Sequence, residues 1–291
     1  MKFKNGRLSD YIFILLLLFL FITWLLNLGI IVSMFILTIF VFLLINEKME
    51  LRDIFKDWLP WVVFLILFSN WVSLKNMIPY FNQKVRFDLP FIEQSIFGFS
   101  VVLWFQNNRI FLLDWVGNYI RLLHLIVPTI TVFILYRWGK NLFRKFTYTL
   151  ILTTYVSLVI FLFLPQAPPW LAYKETLNSI NNLPYFIRIF YGFLQGDPYA
   201  PFPSLHAAFP IICTVYLFKL NHKIGFLGII YSVLVWISSV YTADHYLIDI
   251  FAGIGLSLLI FYIVERWDKI KKYWAWKFTQ IKFKPIWDKN K

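Results

Sequence analysis

The sequence predicts an all-helical integral membrane protein with about eight transmembrane helices. Of its 291 residues, 60% are hydrophobic and 21% are aromatic, whereas only 15% are charged. In a soluble domain about 25% of the residues would be charged. Apolar runs recur along the chain, and several approach the length of about 20 residues that a helix needs to cross a bilayer. No stretch between them has the composition of a soluble domain, so we expect one membrane domain.

The apolar segments can be placed in order along the chain. The first run, residues 11–45, is long enough for two helices and is broken at Asn27 and Gly29. A short segment later in the chain contains Pro210, so we expect its start to be irregular. The connection 75–118 contains apolar stretches that predict interfacial or re-entrant helices, and residues 165–204 are rich in Pro, Asn, Tyr and Gly, which is typical of a loop. The six segments after residue 45 are 58–74, 119–136, 146–164, 205–220, 224–240 and 246–264.

The basic residues predict how the chain is oriented. The net charge is +13, and 21 of the 28 Lys and Arg residues lie on one side of an eight-helix arrangement, together with both termini. Because basic residues prefer the cytoplasm, we expect both termini to be cytoplasmic. The loop 165–204 and the turn before the last helix then face the extracytoplasmic side. The basic, aromatic tail is expected to bind anionic lipid headgroups rather than nucleic acid.

We divide the chain into three regions. Residues 1–113 are predicted to form an N-terminal membrane region of about three helices plus an outer loop with interfacial helices. Residues 114–264 are predicted to form the helical core that carries the chemistry, and residues 265–291 the cytoplasmic tail. The single cysteine, Cys213, lies in an apolar run and has no intrachain partner for a disulfide.

Two segments place polar side chains where lipid would disfavour them. The first is PSLHAA at residues 203–208, which contains His206, and the second is DHYLID at residues 244–249. Two membrane crossings fit between His206 and His245, so both histidines are predicted at the same membrane face. Asp249 lies four residues after His245, which on a helix would place the two side chains on one side. A carboxylate in that position can hold one ring proton of a histidine and fix which nitrogen is free.

Histidine-based phosphoryl transfer uses this set of groups. His245 would attack phosphorus, Asp249 would orient it and stabilise its charge, and His206 would protonate the leaving oxygen. This scheme requires no metal, and we expect no metal and no cofactor. A serine hydrolase centred on Ser204 lacks the glycines of a nucleophile elbow, and a zinc protease would need a HExxH motif that is absent.

These motifs resemble the type 2 phosphatidic acid phosphatase (PAP2) superfamily, whose second and third motifs read PSGH and SR-x5-H-x3-D. Within it, the chain is most similar to the branch of inositol phosphorylceramide synthases and their prokaryotic relatives. That branch has a P-x-A-P-P-W element, which PQAPPW at residues 165–170 resembles, and no glycine before its first histidine. The resemblance covers residues 114–264 and implies a PAP2-type helical bundle that acts on membrane lipid substrates.

The chain departs from the phosphatases at two positions that would hold phosphate. The K-x6-R-P motif is absent before the proline-rich element, and Ser239 stands where the third motif has arginine. The basic residues predicted to serve instead are Arg121, Lys174 and Arg188. Ser204, Tyr241 and His124 are also predicted at the substrate, although His124 could instead be a core histidine bonded to the backbone.

Three functions are compatible with the sequence. The first is a lipid phosphotransferase that moves a phospho-headgroup between lipids through phosphohistidine. The second is a phosphatase of lipid phosphates or polyprenyl diphosphates with the same intermediate and water as the acceptor. The third is a transporter or scaffold, which is disfavoured because the chain lacks the paired halves with broken helices that many transporters show.

Overall fold

The computed structural model describes residues 51–78, 85, 87–173, 176 and 199–280. Every regular element in these residues is a helix, as predicted. The predicted helices within residues 11–45 and most of the connection 165–204 lie outside the described residues. In chain order the helices are α1 Leu51–Asn76, α2 Leu89–Phe97, α3 Val101–Asn107, α4 Phe111–Trp138, α5 Lys140–Phe163, α6 Pro169–Ala172, α7 Leu205–Leu220, α8 His222–Tyr241, α9 Leu247–Glu265 and α10 Trp267–Gln280.

Six of these helices correspond to the six apolar segments predicted after residue 45, of which 146–164 and 246–264 each extend one residue beyond their helix. Helices α1, α5, α8 and α9 are long and apolar enough to cross a membrane, and α4 meets the same criterion as a bent pair. Helix α7 is a shorter apolar helix of 16 residues. The predicted all-helical membrane class is therefore confirmed, while two of the eight predicted crossings fall outside the described residues. The basic tail continues as α10.

The larger core is a cluster of aromatic rings between α1, α4, α5 and α7, which we call the aromatic core. Trp58 of α1 contacts Phe133 and Tyr136 of α4 and Phe143 of α5, with ring centroids 4.7 to 5.5 Å apart. Burial of one such side chain contributes about 1.5–3 kcal/mol. The aromatic core therefore holds α1 against the helices that carry the polar motifs.

Helix α4 is bent by 44° between Arg121 and Ile126. Pro128 lies inside this helix, four residues after His124. Because proline has no N–H to bond the carbonyl of His124, and its ring crowds that carbonyl, a kink at this position is expected. The bend places the half-helix that ends at Arg121 at an angle to the rest of α4.

Helix α9 packs closely against the start of α7 at Gly253. A Cβ atom added to Gly253 would collide with the backbone oxygen of Ser204 and would lie 3.2 Å from the Cβ of Ala207. The backbone N–H of Ser204 also donates to the carbonyl of Asp249 over 3.1 Å. This close approach brings the first turns of α7 and α9, and with them both predicted polar motifs, side by side.

The short helices α2 and α3 occupy the connection in which interfacial or re-entrant helices are predicted. Leu89 of α2 and Val102 of α3 are buried in a second cluster with Tyr246 and Ile250, which flank the start of α9. The connection between α1 and α4 therefore contacts the start of α9, which carries Asp249.

Candidate active site

His206 lies in the first turn of α7. Ser204 is the N-cap of this helix, and its hydroxyl accepts a hydrogen bond from the N–H of Ala207 over 3.3 Å. A serine cap of this kind fixes where a helix begins. The serine of the PSLH motif therefore sets the position of the histidine two residues later, and its hydroxyl serves as the cap rather than as a free nucleophile.

His245 lies in the tight turn between α8 and α9. Ala243 in this turn has a left-handed backbone with φ 61°, which costs a non-glycine residue about 1–2 kcal/mol. The N–H groups of Asp244 and His245 both donate to the carbonyl of Ser239, and the N–H of Trp170 donates to the carbonyl of Ala243 over 3.1 Å. The proline-rich element thus braces the turn that presents His245.

The contact between His245 and Asp249 differs from the one that the spacing predicts. His245 is not on a helix with Asp249, because α9 begins at Leu247 and His245 precedes it. Asp249 reaches back across the helix start instead. One of its oxygens, Oδ2, accepts the N–H of Tyr246 over 2.9 Å and lies 3.4 Å from Nδ1 of His245. The carboxylate caps the helix and faces the histidine at the same time.

The two motif histidines are in direct contact. Nδ1 of His206 lies 2.9 Å from Nε2 of His245, so one nitrogen carries a proton and the other a lone pair. A carboxylate accepts hydrogen bonds, which favours a proton on Nδ1 of His245 where that nitrogen faces Asp249. Nε2 of His245 then carries the lone pair, and Nδ1 of His206 is the donor.

His124, at the bend of α4, completes a group of three histidines. Its ring centroid lies 3.9 Å from that of His206, and its Nδ1 lies 2.6 Å from the carbonyl oxygen of Arg121. Because a carbonyl only accepts, Nδ1 of His124 carries the proton. His124 therefore bonds the backbone, as expected of a core histidine, and it also contacts His206.

Arg121 is fully buried in the same region. Its guanidinium forms an ion pair with Asp244, which precedes His245, and donates to Thr242 and to Asn118 over 3.2 Å each. A buried charge requires partners of this kind. Of the three basic residues predicted to hold phosphate, Arg121 is the one placed beside the histidines, whereas Lys174 and Arg188 lie outside the described residues.

Tyr241, predicted at the substrate, is engaged by the protein itself. Its hydroxyl donates to Asp114 over 2.7 Å and accepts the N–H of Ile110 over 3.1 Å. Asp114 also pairs with Arg109 at 2.9 Å. Tyr241 thereby links the end of α8 to the start of α4, and these contacts give it a structural role.

Sequence reasoning missed two carboxylates near the site, Glu93 and Asp244. Glu93 of α2 is fully buried, and its Oε1 accepts the N–H of Leu247, the first residue of α9, over 2.7 Å. The available signal was its isolation, since no other acidic residue lies between Asp88 and Asp114. Asp244 adjoins His245 in sequence, and no motif in the sequence marks it as a partner of Arg121.

Burial determines the charge state of His245. Its side chain lies in a turn outside the membrane-spanning helices and is only 6% exposed. Burial, with a smaller contribution from the Arg121 charge, lowers the pKa of His245 to about 3. The imidazole is therefore neutral at physiological pH and retains a lone pair for attack on an electrophile.

Comparison with known proteins places this chain in a family. A family model described as the PAP2 superfamily matches residues 92–263, more than half of the chain. The chain is 25% identical over 218 residues to an inositol phosphorylceramide synthase of Candida albicans, which covers 66% of this chain and 45% of that protein. It is 30% identical over 113 residues to a phosphoinositol dihydroceramide synthase of Bacteroides thetaiotaomicron, which covers 33% of this chain and 36% of that protein. No solved structure matches the chain.

The alignments cover less than half the length of both curated relatives. The matched family segment nevertheless includes His124, His206, His245 and Asp249. The resemblance predicted from the PSLH and H-x3-D motifs is therefore confirmed, and this integral membrane protein belongs to the PAP2 superfamily.

Proposed function

We propose that this membrane enzyme moves a phospho-headgroup from a donor lipid to the hydroxyl of an acceptor lipid through a phosphohistidine intermediate. The observation that supports this most strongly is the contact of His206 with His245 at 2.9 Å, with Asp249 3.4 Å from the other nitrogen of His245. The arrangement supplies a nucleophile, the carboxylate that orients it, and a proton donor within reach of the same phosphorus atom.

In the first step, Nε2 of His245 attacks the phosphorus of the donor lipid. The anionic phosphate of the bound donor lipid holds His206 in its doubly protonated form. A P–N bond forms, the P–O bond to the lipid breaks, and His206 gives one of its two ring protons to the departing oxygen and becomes neutral. Asp249 stabilises the positive charge that develops on the His245 ring. In the second step, the acceptor hydroxyl attacks phosphorus, its proton passes to His206, and the P–N bond breaks. His245 and His206 return to their starting states.

The substrate must open the contact between the two histidines. A phosphoryl group is attacked from about 3–3.5 Å, and the 2.9 Å between the ring nitrogens leaves no room for it. His206 and His245 therefore move apart on binding. The contact between the rings uses one nitrogen of each histidine, and phosphate replaces it with one contact to each ring.

In the phosphatases, the arginine of the third motif supplies positive charge to the phosphate. This chain has Ser239 at that position, and Arg121 supplies the charge instead. Arg121 approaches from α4 rather than from α8, and the Asp244 ion pair holds it beside the catalytic turn. A guanidinium fixed in a water-poor site stabilises charge on a phosphoryl group more strongly than it would in water. We therefore assign the phosphate contact to Arg121 because of its position beside the turn that carries His245.

The names of the two relatives indicate the substrates. Both are synthases of phosphoinositol-containing sphingolipids by their names, so we assign the donor to the phosphoinositol lipids and the acceptor to ceramide-like lipids with a free hydroxyl. The test uses purified protein in detergent with donor lipid labelled in the headgroup phosphate, with and without ceramide. We expect label in a ceramide product that depends on ceramide and is lost in His245→Gln. Release of free inositol phosphate or inorganic phosphate, with none in ceramide, would replace transfer by hydrolysis.

The charge distribution supports an extracytoplasmic site. Tyr199 lies near the start of α7, and Lys223 lies at the start of α8, just beyond the other end of α7. With this orientation the two residues lie on opposite sides of the membrane. Cysteines introduced at these two positions, in a Cys213→Ser background, should react with a membrane-impermeant reagent from opposite faces of sealed cells or vesicles. Reaction of both from one face would contradict the orientation.

A further inference from the structure

The start of α9 is held by two carboxylates from different helices. Asp249, within α9, accepts the N–H of Tyr246 over 2.9 Å. Glu93, on α2 and 154 positions earlier in the chain, accepts the N–H of Leu247 over 2.7 Å. Both side chains are fully buried. The two N–H groups that directly follow His245 are therefore bound by two different acidic residues.

This division follows from the physics of a helix start. The first N–H groups of an α-helix have no carbonyl partner within the helix, and a buried donor without a partner is destabilising. The positive end of the helix dipole also favours a negative group at this position. Asp249 is the other carboxylate at this end of α9, and its Oδ2 already serves Tyr246 and faces His245. Because the N–H of Leu247 donates to Glu93, Asp249 remains available to His245.

We propose that Glu93 is a positioning residue for the His245–Asp249 pair. It anchors the first N–H of α9 to α2 and so fixes the distance and angle at which Asp249 faces the nucleophilic ring. The inference rests on the proposed function, because the geometry of this pair matters for turnover only if His245 carries the phosphoryl group. The expected signature is a change in kcat with little change in KM, since Glu93 lies behind the catalytic turn.

The carbonyl oxygen of a glutamine can replace the carboxylate at this position. Burial, with the charge of Asp249 as a smaller cause, raises the pKa of Glu93 above its ordinary value, while the bond to Leu247 lowers it. The N–H of Leu247 requires an acceptor oxygen at this position, which a neutral side chain can also supply. Glu93→Gln keeps an oxygen that accepts from Leu247, whereas Glu93→Met has similar length and no such acceptor.

The experiment compares these two variants with a control in the same helix. Asp88→Ala removes the side chain that accepts the N–H of Phe91 over 3.0 Å at the start of α2 and leaves Glu93 in place. For each protein, hydrogen exchange of residues 241–250 is measured by mass spectrometry, alongside kcat and KM for label transfer to ceramide. The exchange measurement reports the anchor directly and does not depend on the reaction.

We expect Glu93→Met to speed exchange in residues 241–250 and to lower kcat by about 10-fold or more, with KM within about twofold. Glu93→Gln and Asp88→Ala should stay within about threefold of the original kcat. Unchanged exchange in Glu93→Met would overturn the inference, as would an equal loss in Glu93→Gln or in Asp88→Ala. If the original protein transfers no label, the proposed function fails, and the exchange result still decides whether Glu93 anchors the turn.

Discussion

The aromatic core and the histidine site share α4 and α7, yet they bury opposite kinds of side chain. Around Trp58 the buried groups are aromatic rings in mutual contact, which stabilise the bundle through burial of apolar area. Around His245 the buried groups include Arg121, Asp244 and Asp249. Replacement of buried ion pairs by apolar groups is often neutral or stabilising. The aromatic core is therefore explained by stability, whereas the buried charges around His245 are better explained by the phosphoryl transfer that we propose.

The largest effect should come from Asp249→Asn in the histidine site. Asparagine keeps an oxygen that can accept the N–H of Tyr246, so α9 should begin where it does now. It loses the charge that supports the His245 ring, a change that costs about 10⁴ in kcat in a serine protease with a comparable orienting carboxylate. Label transfer to ceramide measures the loss, and thermal unfolding in detergent should change little. Turnover near that of the original protein would make the pair structural.

The converse substitution lies in the aromatic core. Trp58→Leu leaves a cavity among Phe133, Tyr136 and Phe143 and should destabilise the protein by about 2 kcal/mol. At a temperature where both proteins are folded, its kcat should equal that of the original protein. A large loss of kcat without loss of stability would break the distinction between the two regions.

Arg121→Gln tests the assignment of the phosphate contact. Removal of one fixed donor from a charge-stabilising site costs about 10²–10³ in kcat, and we expect a loss in this range. Because Asp244 would lose its ion-pair partner, the double variant Arg121→Gln with Asp244→Asn serves as the control for an uncompensated carboxylate. If the double variant recovers full turnover, Arg121 is needed only to neutralise Asp244.

A matched pair of glycines on α9 tests the close contact between the two motifs. Gly253→Ala should displace α9 from Ser204 and lower kcat by about 10-fold or more, because a small misplacement of catalytic groups is costly. Gly255→Ala, two residues further along, has open space around the added methyl group and should be neutral. The ratio of their kcat values measures how tightly the helix starts must pack. Equal activities would mean that the site tolerates a shift of α9.

The last prediction of this set concerns how the stability of the protein depends on pH. The pKa of His245 is depressed to about 3 in the folded protein, so the unfolded chain takes up a proton below about pH 6.5 and the folded chain does not. Stability from this group is therefore present above pH 6.5 and is lost as pH falls, by about 2 kcal/mol at pH 5. Melting temperatures at pH 7.5 and pH 5 in the original protein and in His245→Gln would show it. A drop of the same size in both would assign the pH dependence elsewhere.

The sequence predicts the helices and the residue types of the site better than it predicts their contacts. The apolar runs predict each of the six long helices between residues 51 and 265, because lipid requires such runs. The PSLH and H-x3-D motifs predict His206, His245 and Asp249 as site residues, and the structure brings these three side chains together. Spacing alone predicts that His245 and Asp249 lie on one helix, and this is wrong. Tyr246 is the N-cap of α9, so the helix begins at Leu247 and His245 lies in the turn before it.

Contacts between distant segments could not be predicted in this way. The hydrogen bond that the N–H of Leu247 donates to Glu93 joins residues 154 positions apart, and no local pattern encodes it. The same holds for the ion pair of Arg121 with Asp244, 123 positions apart. Pro128 predicts a bend in α4 near His124. The sequence does not predict that α4 packs beside α7, which brings His124 against His206.

The most direct test of the central claim is the identity of the phosphorylated residue. Purified protein is incubated with phosphate-labelled donor lipid in the absence of acceptor, stopped with base, digested and mapped. We expect an acid-labile, base-stable label on the peptide that contains His245, absent in His245→Ala and formed in His206→Ala from a donor with an activated aryl leaving group, which needs no proton. A label that is acid-stable, or that survives His245→Ala, would contradict phosphohistidine formation at His245.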